Sequence, residues 1–229
     1  MLKNVKIKKL AFLGLVLAAA ILLLSLNEKI PAAEEAIYFK AGERHRVALT
    51  FETLWTTSDL EEILAILERE AVPATFFVTG TWLQRNPEAV KQILAGGHEI
   101  GNHTLNHRVM LQLESREIVR EIKEFNDLAL SLLEYRPRLF RPPLGLYNDA
   151  VVKRARQQGC RTVLWSVESY DLISKGSEEI VERVKGRLRG GSIVVFRVGA
   201  PFLPEALVEI IADLKRRGFE AVTVSELLM

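Results

Sequence analysis

Residues 46–79 read RVALTFETLWTTSDLEEILAILEREAVPATFFVT. Two short runs rich in β-branched and aromatic residues, Arg46–Phe51 and Ala74–Thr79, bracket a longer pattern, Ser58–Glu70, whose apolar residues recur every three or four positions. A strand, an amphipathic helix and a second strand are expected. Ser58 is placed to cap the helix, with Glu61 three residues on as its capping-box partner. Outward from this unit the alternation repeats. Further strand-like runs are His98–Gly101, Arg138–Arg141, Arg161–Trp165, Ser192–Phe196 and Glu220–Val224. Helical patterns fill the gaps at Pro87–Ala95, Glu114–Tyr135, Asn148–Gln158, Ser177–Leu188 and Leu203–Arg217. Gly96, Gly159 and Gly218 each follow a helical run, where a helix C-terminus favours glycine. Seven strands alternating with helices predict an α/β fold with a parallel sheet, either a closed or distorted barrel or an open doubly wound sheet.

In both architectures ligands bind outside the carboxyl ends of the strands. That rule singles out five segments: Glu52–Trp55, Asn102–His107, Arg141–Gly145, Ser166–Leu172 and Arg197–Gly199.

The chain has 229 residues. Leu10–Leu26 carries no charge and follows Lys3, Lys6, Lys8 and Lys9. A lysine-rich start before an apolar run keeps the N-terminus in the cytoplasm and sends the rest across the membrane. Ala32–Ala33 makes a poor cleavage site, because Ile30 or Pro31 would fill the upstream small position. Residues 1–29 are therefore expected to be an uncleaved anchor, with secretion as the alternative, 30–45 a tether and 46–229 the folded domain. The first 29 residues hold five Lys and one Glu, which leaves 26 basic and 28 acidic side chains for the remainder. The folded part is not a basic body, so nucleic acid is excluded as a partner class. Cys160 is the sole cysteine, so no intramolecular disulfide and no cysteine metal cluster can form.

Three of the four histidines, His98, His103 and His107, fall within ten residues. On a helical turn, His103 and His107 would project from one face, a geometry that suits two ligands of one zinc-like ion. Arg141-Pro142-Pro143-Leu144-Gly145 is a rigid turn after a strand, able to aim the Leu144 N–H at a ligand. Ser166–Leu172 carries Glu168 and Asp171. Arg197 closes an apolar run, where it can bind an anion, pair with Asp171 or cap the site. Trp55 beside Glu52 suits either a pyranose face or the core.

With those segments in place, the chain resembles the polysaccharide deacetylases, the NodB-like domains of carbohydrate esterase family 4, from about Arg46 to Met229. The resemblance is carried by Ala74-Thr75-Phe76-Phe77-Val78, by Gly96 through His107, by Phe140-Arg141-Pro142-Pro143-Leu144-Gly145 and by Gly191-Ser192-Ile193-Val194-Val195. It implies a distorted seven-stranded parallel (β/α) barrel and removal of acetyl groups from envelope polysaccharide such as peptidoglycan. It also implies a divalent metal held by one Asp and two His, a second Asp as base, a backbone oxyanion donor and a late His as acid. Carried over, His103 and His107 are metal ligands, Leu144 is the oxyanion donor, and Arg141 and Asp171 are supporting residues. Trp55, Pro143 and Tyr147 are expected to face substrate.

The departures sit at the chemistry. The resemblance calls for Thr-Phe-Asp-Asp-Gly-Pro where this chain has Thr50-Phe51-Glu52-Thr53-Leu54-Trp55, so Glu52 stands at the base position and Thr53 at the metal aspartate. Arg197 stands at the acid histidine, and Leu172 where a Trp is usual. The extra methylene of Glu52 moves its carboxylate by roughly 1–1.5 Å, worth about a hundredfold in rate. Thr53 removes an anionic ligand, and arginine cannot release a proton near neutrality. Weak metal binding and reduced or absent deacetylation are expected. The alternatives are a silent relative that binds glycan or a protein partner, and a different hydrolysis using Glu52 with Arg197 as an anion clamp.

Overall fold

The computed structural model describes residues 44–54 and 56–229. Eight strands are found there: β1 (Arg46–Thr53), β2 (Thr75–Val78), β3 (Glu99–Asn102), β4 (Leu139–Phe140), β5 (Arg161–Thr162), β6 (Val167–Glu168), β7 (Ile193–Arg197) and β8 (Glu220–Ala221). Every pairing is parallel. The order is β5-β4-β3-β2-β1-β7-β6, and β8 pairs only with Arg46 and Val47 at the start of β1. β5 and β6 lie at opposite edges, yet only residues 163–166 separate them. Five Cα steps span at most about 18 Å, so the sheet must curl until its edges approach. That is the distorted (β/α) barrel of the sequence reading.

The strand count differs from seven because the predicted run Arg161–Trp165 does not stay on one neighbour. The Val163 N–H donates to Phe140 O at 2.8 Å, whereas the Ser166 N–H donates to Ile193 O at 3.0 Å. The chain crosses from β4 to β7, and β6 then starts afresh. The predicted last strand, Glu220–Val224, is also shorter. Thr223 and Glu226 form a capping box that opens a helix and buries Val224 and Leu227.

The helices are α1 (Leu60–Arg69), α2 (Gly80–Arg85), α3 (Pro87–Ala95), α4 (Ser115–Leu133), α5 (Asp149–Gln157), α6 (Ser177–Arg187), α7 (Leu203–Arg216) and α8 (Val224–Leu227). The expected Ser58–Glu61 cap does not form. Asp59 is the N-cap of α1 and makes no side-chain capping bond. Its carboxylate instead accepts the Gly199 N–H at 2.6 Å, which fastens the loop after β7 to the start of α1.

Strand alternation divides the core in two. Val47, Leu49, Phe51, Phe76, Val78, Val194 and Phe196 pack outward beneath the helices. Ala48, Phe77, Leu139, Val163 and Ile193 pack inside the barrel, closed at the amino end by Val224 and Leu227 of α8. The same alternation carries upward: Glu52 follows Ala48 and Thr50, Arg141 follows Leu139, and Arg197 follows Ile193 and Val195. The polar top layer is thus fixed by parity. The anchor expected at 1–29, and all but the last two residues of the tether expected at 30–45, lie outside the described residues. No described helix is long and apolar enough to cross a membrane.

Candidate active site

Glu52, near the end of β1, is the centre of the polar layer and is only 6% exposed. Arg141 Nη1 lies 3.5 Å from Glu52 Oε1, and Arg197 Nε lies 3.5 Å from Oε2. His103 Nε2 stands 3.9 Å from Oε1. Burial by itself would raise the Glu52 pKa, but His103, Arg141 and Arg197 together hold it below the usual glutamate value.

Arg141 has no exposed surface. Its guanidinium lies 4.0 Å above the centre of the Phe77 ring and donates to Val163 O and Leu164 O at 3.4 and 3.1 Å. Burial pulls its pKa down to about 10, so it remains charged at neutral pH. The small side of this arrangement is Gly101, where a Cβ would come within 2.5 Å of the Phe77 ring.

Arg197 gathers the acids at the end of β6 and just beyond it. It pairs with Glu168 through both terminal nitrogens and with Asp171 Oδ1 at 3.3 Å, and its backbone N–H donates to Asp171 Oδ2 at 2.6 Å. Burial opposes its charge, but the Glu168 hydrogen bond and the charges of Glu52 and Asp171 outweigh it, so its pKa rises. Burial raises the Asp171 pKa despite those contacts.

His103 Nδ1 lies 2.8 Å from Arg141 O. A carbonyl only accepts, so Nδ1 carries the proton and the neutral ring turns an Nε2 lone pair toward Glu52. Burial lowers the His103 pKa to about 4. His107 is half-buried, with ring centroids 4.9 Å apart and planes at 65°. The two histidines do converge, but not on a helical turn. Residues 103–109 form a loop in which Thr104 and His107 have φ of 68° and 56°. Such left-handed conformations are costly and need support.

The support comes from residues that sequence reading missed. Asn102 accepts the Thr104 N–H at 2.7 Å and donates to Ile122 O and Asn126 Oδ1, both at 2.9 Å. Glu121 accepts from the Asn106 backbone and side chain at 2.8 and 2.9 Å. The available signal was in α4: Glu121 and Asn126 lie on the stripe of Ile118, Ile122, Phe125 and Ala129, all buried. His98 takes no part. Its Nδ1 accepts the Ala74 N–H at 3.2 Å, near the amino end of the sheet.

The remaining candidates are scattered. Leu144 is 64% exposed and left-handed, with φ 59° and ψ 9°. Gly145 is left-handed too, and a Cβ there would come within 2.8 Å of the Trp165 ring. Pro143 is buried beneath this turn. Tyr147 packs against the cluster of Met110, Ile118 and Phe140. Trp55 lies outside the described residues. Leu172 is 45% exposed, beside exposed Tyr170 and Ile173.

The metal set carried over from the resemblance does not assemble. Among the described residues no three His, Cys, Asp or Glu side chains are grouped to hold an ion. Thr53 follows Glu52 with opposite parity, on the side of Phe51, and its buried hydroxyl finds no hydrogen-bond partner. It offers no anion. Among the described residues the carboxylate beside His103 is Glu52, which already has a guanidinium near each oxygen. The expected third ligand is missing, and the residues present do not fit a one-Asp, two-His site.

The carboxyl end of the parallel barrel thus carries paired histidines, an Arg-Pro-Pro turn and the acids Glu52, Glu168 and Asp171, the arrangement of parts that the sequence resemblance implied. The chain belongs to the polysaccharide deacetylase family, whose model matches residues 40–163. It is 38% identical, over 80% of its length and 87% of the relative's, to a peptidoglycan-N-acetylglucosamine deacetylase of Bacillus cereus. It also superposes with a TM-score of 0.82 on the wild-type CE4 family pseudoenzyme BA3943 of Bacillus anthracis, at 31% identity, covering 85% of this chain and 69% of that one. A BA3943 mutant with restored enzymatic activity matches with the same TM-score at 32% identity, covering 85% and 71%.

Proposed function

We propose that this chain binds N-acetylated polysaccharide of the cell envelope, peptidoglycan above all, and hydrolyses its acetyl groups slowly or not at all. The observation that carries the reading is the pair of guanidiniums at 3.5 Å on the two oxygens of Glu52. A general base works best with a pKa near the operating pH. Glu52 is pushed the other way, and its charge is already neutralised. Arg197, held charged by three carboxylates, has no proton to give a leaving amine. Glycan binding needs neither group. Exposed Leu144, Tyr170, Leu172 and Ile173, on the loops after β4 and β6, offer apolar faces at the mouth of the barrel. In this reading Leu144 retains its oxyanion-donor position, Arg141 and Asp171 support it, and residues 1–29 hold the domain outside the membrane. The kinship with both a peptidoglycan deacetylase and a pseudoenzyme supports the same conclusion.

Calorimetry with N-acetylglucosamine oligomers and peptidoglycan fragments, run beside an acetate-release assay, tests it. Saturable binding with negligible acetate release is expected. Rapid acetate release, or no binding to either ligand, would contradict the reading.

A further inference from the structure

We propose that the Arg197 side chain supplies, as a fixed internal cation, the positive charge that a metal ion would bring to this site, so that the domain holds the site together without a metal. Three carboxylates converge on one guanidinium. Glu168 meets both terminal nitrogens, Asp171 lies 3.3 Å from Nη1, and Glu52 lies 3.5 Å from Nε. The side chain is 15% exposed, and those of Asp171 and Glu52 are 0% and 8% exposed. Carboxylates this deeply buried require a compensating charge. An imidazole at position 197 would be too short and too weak a donor to reach three acids.

The site's charge agrees. Relative to the Asp-Asp and late-His wording of the resemblance, Thr53 removes one negative charge, and Arg197 makes permanent a positive charge that histidine carries only when protonated. Arg141 completes the arrangement from the other side, stacked on Phe77 and anchored to two carbonyls, so it cannot swing away without abandoning them. An ion approaching His103 and His107 would meet two guanidinium charges and no free carboxylate. Glycan binding plays no part in this inference, so its failure is distinguishable from failure of the functional reading.

The test is thermal unfolding of the full chain in EDTA, and then with zinc. The unaltered protein should keep its Tm within about 1 °C in both. A site with a Kd of about 10 µM would instead raise Tm by about 5–10 °C at about 1 mM zinc. Arg197→His should lower Tm without metal and recover part of the loss with zinc. Arg197→Lys, which keeps the charge, should stay closer to the unaltered Tm and remain insensitive to zinc. A fall in EDTA, or a zinc-dependent rise in the unaltered protein, would overturn the proposal. So would Arg197→His with an unchanged Tm. If Arg197→His does not fold, the unaltered protein and Arg197→Lys decide the matter.

Discussion

Replacing Arg197 by Met keeps the length of the stem and deletes its charge. Three acids then lose a partner, but unequally. Glu52 retains Arg141 at 3.5 Å, and Asp171 retains the position-197 and Leu172 backbone N–H groups at 2.6 and 3.0 Å. Glu168, with a side chain 19% exposed, can reach water with a small movement. Breaking a buried ion pair by removing one partner costs about 3–5 kcal/mol. The surviving contacts place Arg197→Met near the lower end, at about 3 kcal/mol. In a domain of this size that is a Tm loss of roughly 6–12 °C. Denaturant unfolding followed by tryptophan fluorescence reads it directly. The added change Glu168→Gln should return part of the loss, since residues sharing one ion-pair network couple by about 0.5–3 kcal/mol. A loss below about 1 kcal/mol for Arg197→Met would refute the reasoning, because the acids would then not depend on the guanidinium.

Two further outcomes follow from the same layer. His103 titrates near 4 in the fold against an ordinary value of 6.5. The unfolded chain therefore binds the proton more readily between those values, and stability falls as pH drops through that window. The full difference is about 3 kcal/mol. Glu52, whose pKa is lowered, adds to the loss at still lower pH. Urea titrations from pH 7 to pH 4 should show the decline, and His103→Gln should flatten most of it. Asn102→Ala strands the Thr104 N–H and loosens the loop that carries both histidines, at a cost of about 1–3 kcal/mol. Amide exchange at Thr104–His107 should accelerate far more than at Phe125. Equal acceleration at both places would point to global destabilisation instead.

The barrel was legible in the sequence because its strands are short apolar runs separated by helices with a clear period. The inward placement of Glu52, Arg141 and Arg197 was equally legible, since parity along β1, β4 and β7 requires it. The histidine geometry was not. His103-x-x-x-His107 has helical spacing, but the loop is set by α4, whose Glu121 and Asn126 impose left-handed backbone from fifteen or more residues away. β6 was hidden because two residues carry no period, and α2 because Gly80–Arg85 is too short to show one. The Ser58 cap failed because Asp59 occupies the cap position and spends its carboxylate on Gly199. The metal reading rested on the two histidines; the pairing of Glu52 with two arginines, which leaves them no free carboxylate, involves distant strands that only tertiary structure brings together.

In the proposed function, this site is a deacetylase scaffold disabled at Glu52, Thr53 and Arg197. The direct measurement is acetate release from N-acetylglucosamine oligomers with added zinc, comparing the unaltered chain with Glu52→Asp, Thr53→Asp and Arg197→His singly and together. Losing a general acid or base costs on the order of 10²–10⁴ in rate, and residues of one machine do not add independently. The account predicts negligible release from the unaltered chain, little from any single change and a clear gain from the triple change. Release by the unaltered chain at a rate that the triple change fails to improve would contradict it, and would make Glu52 and its arginines a working site of another design.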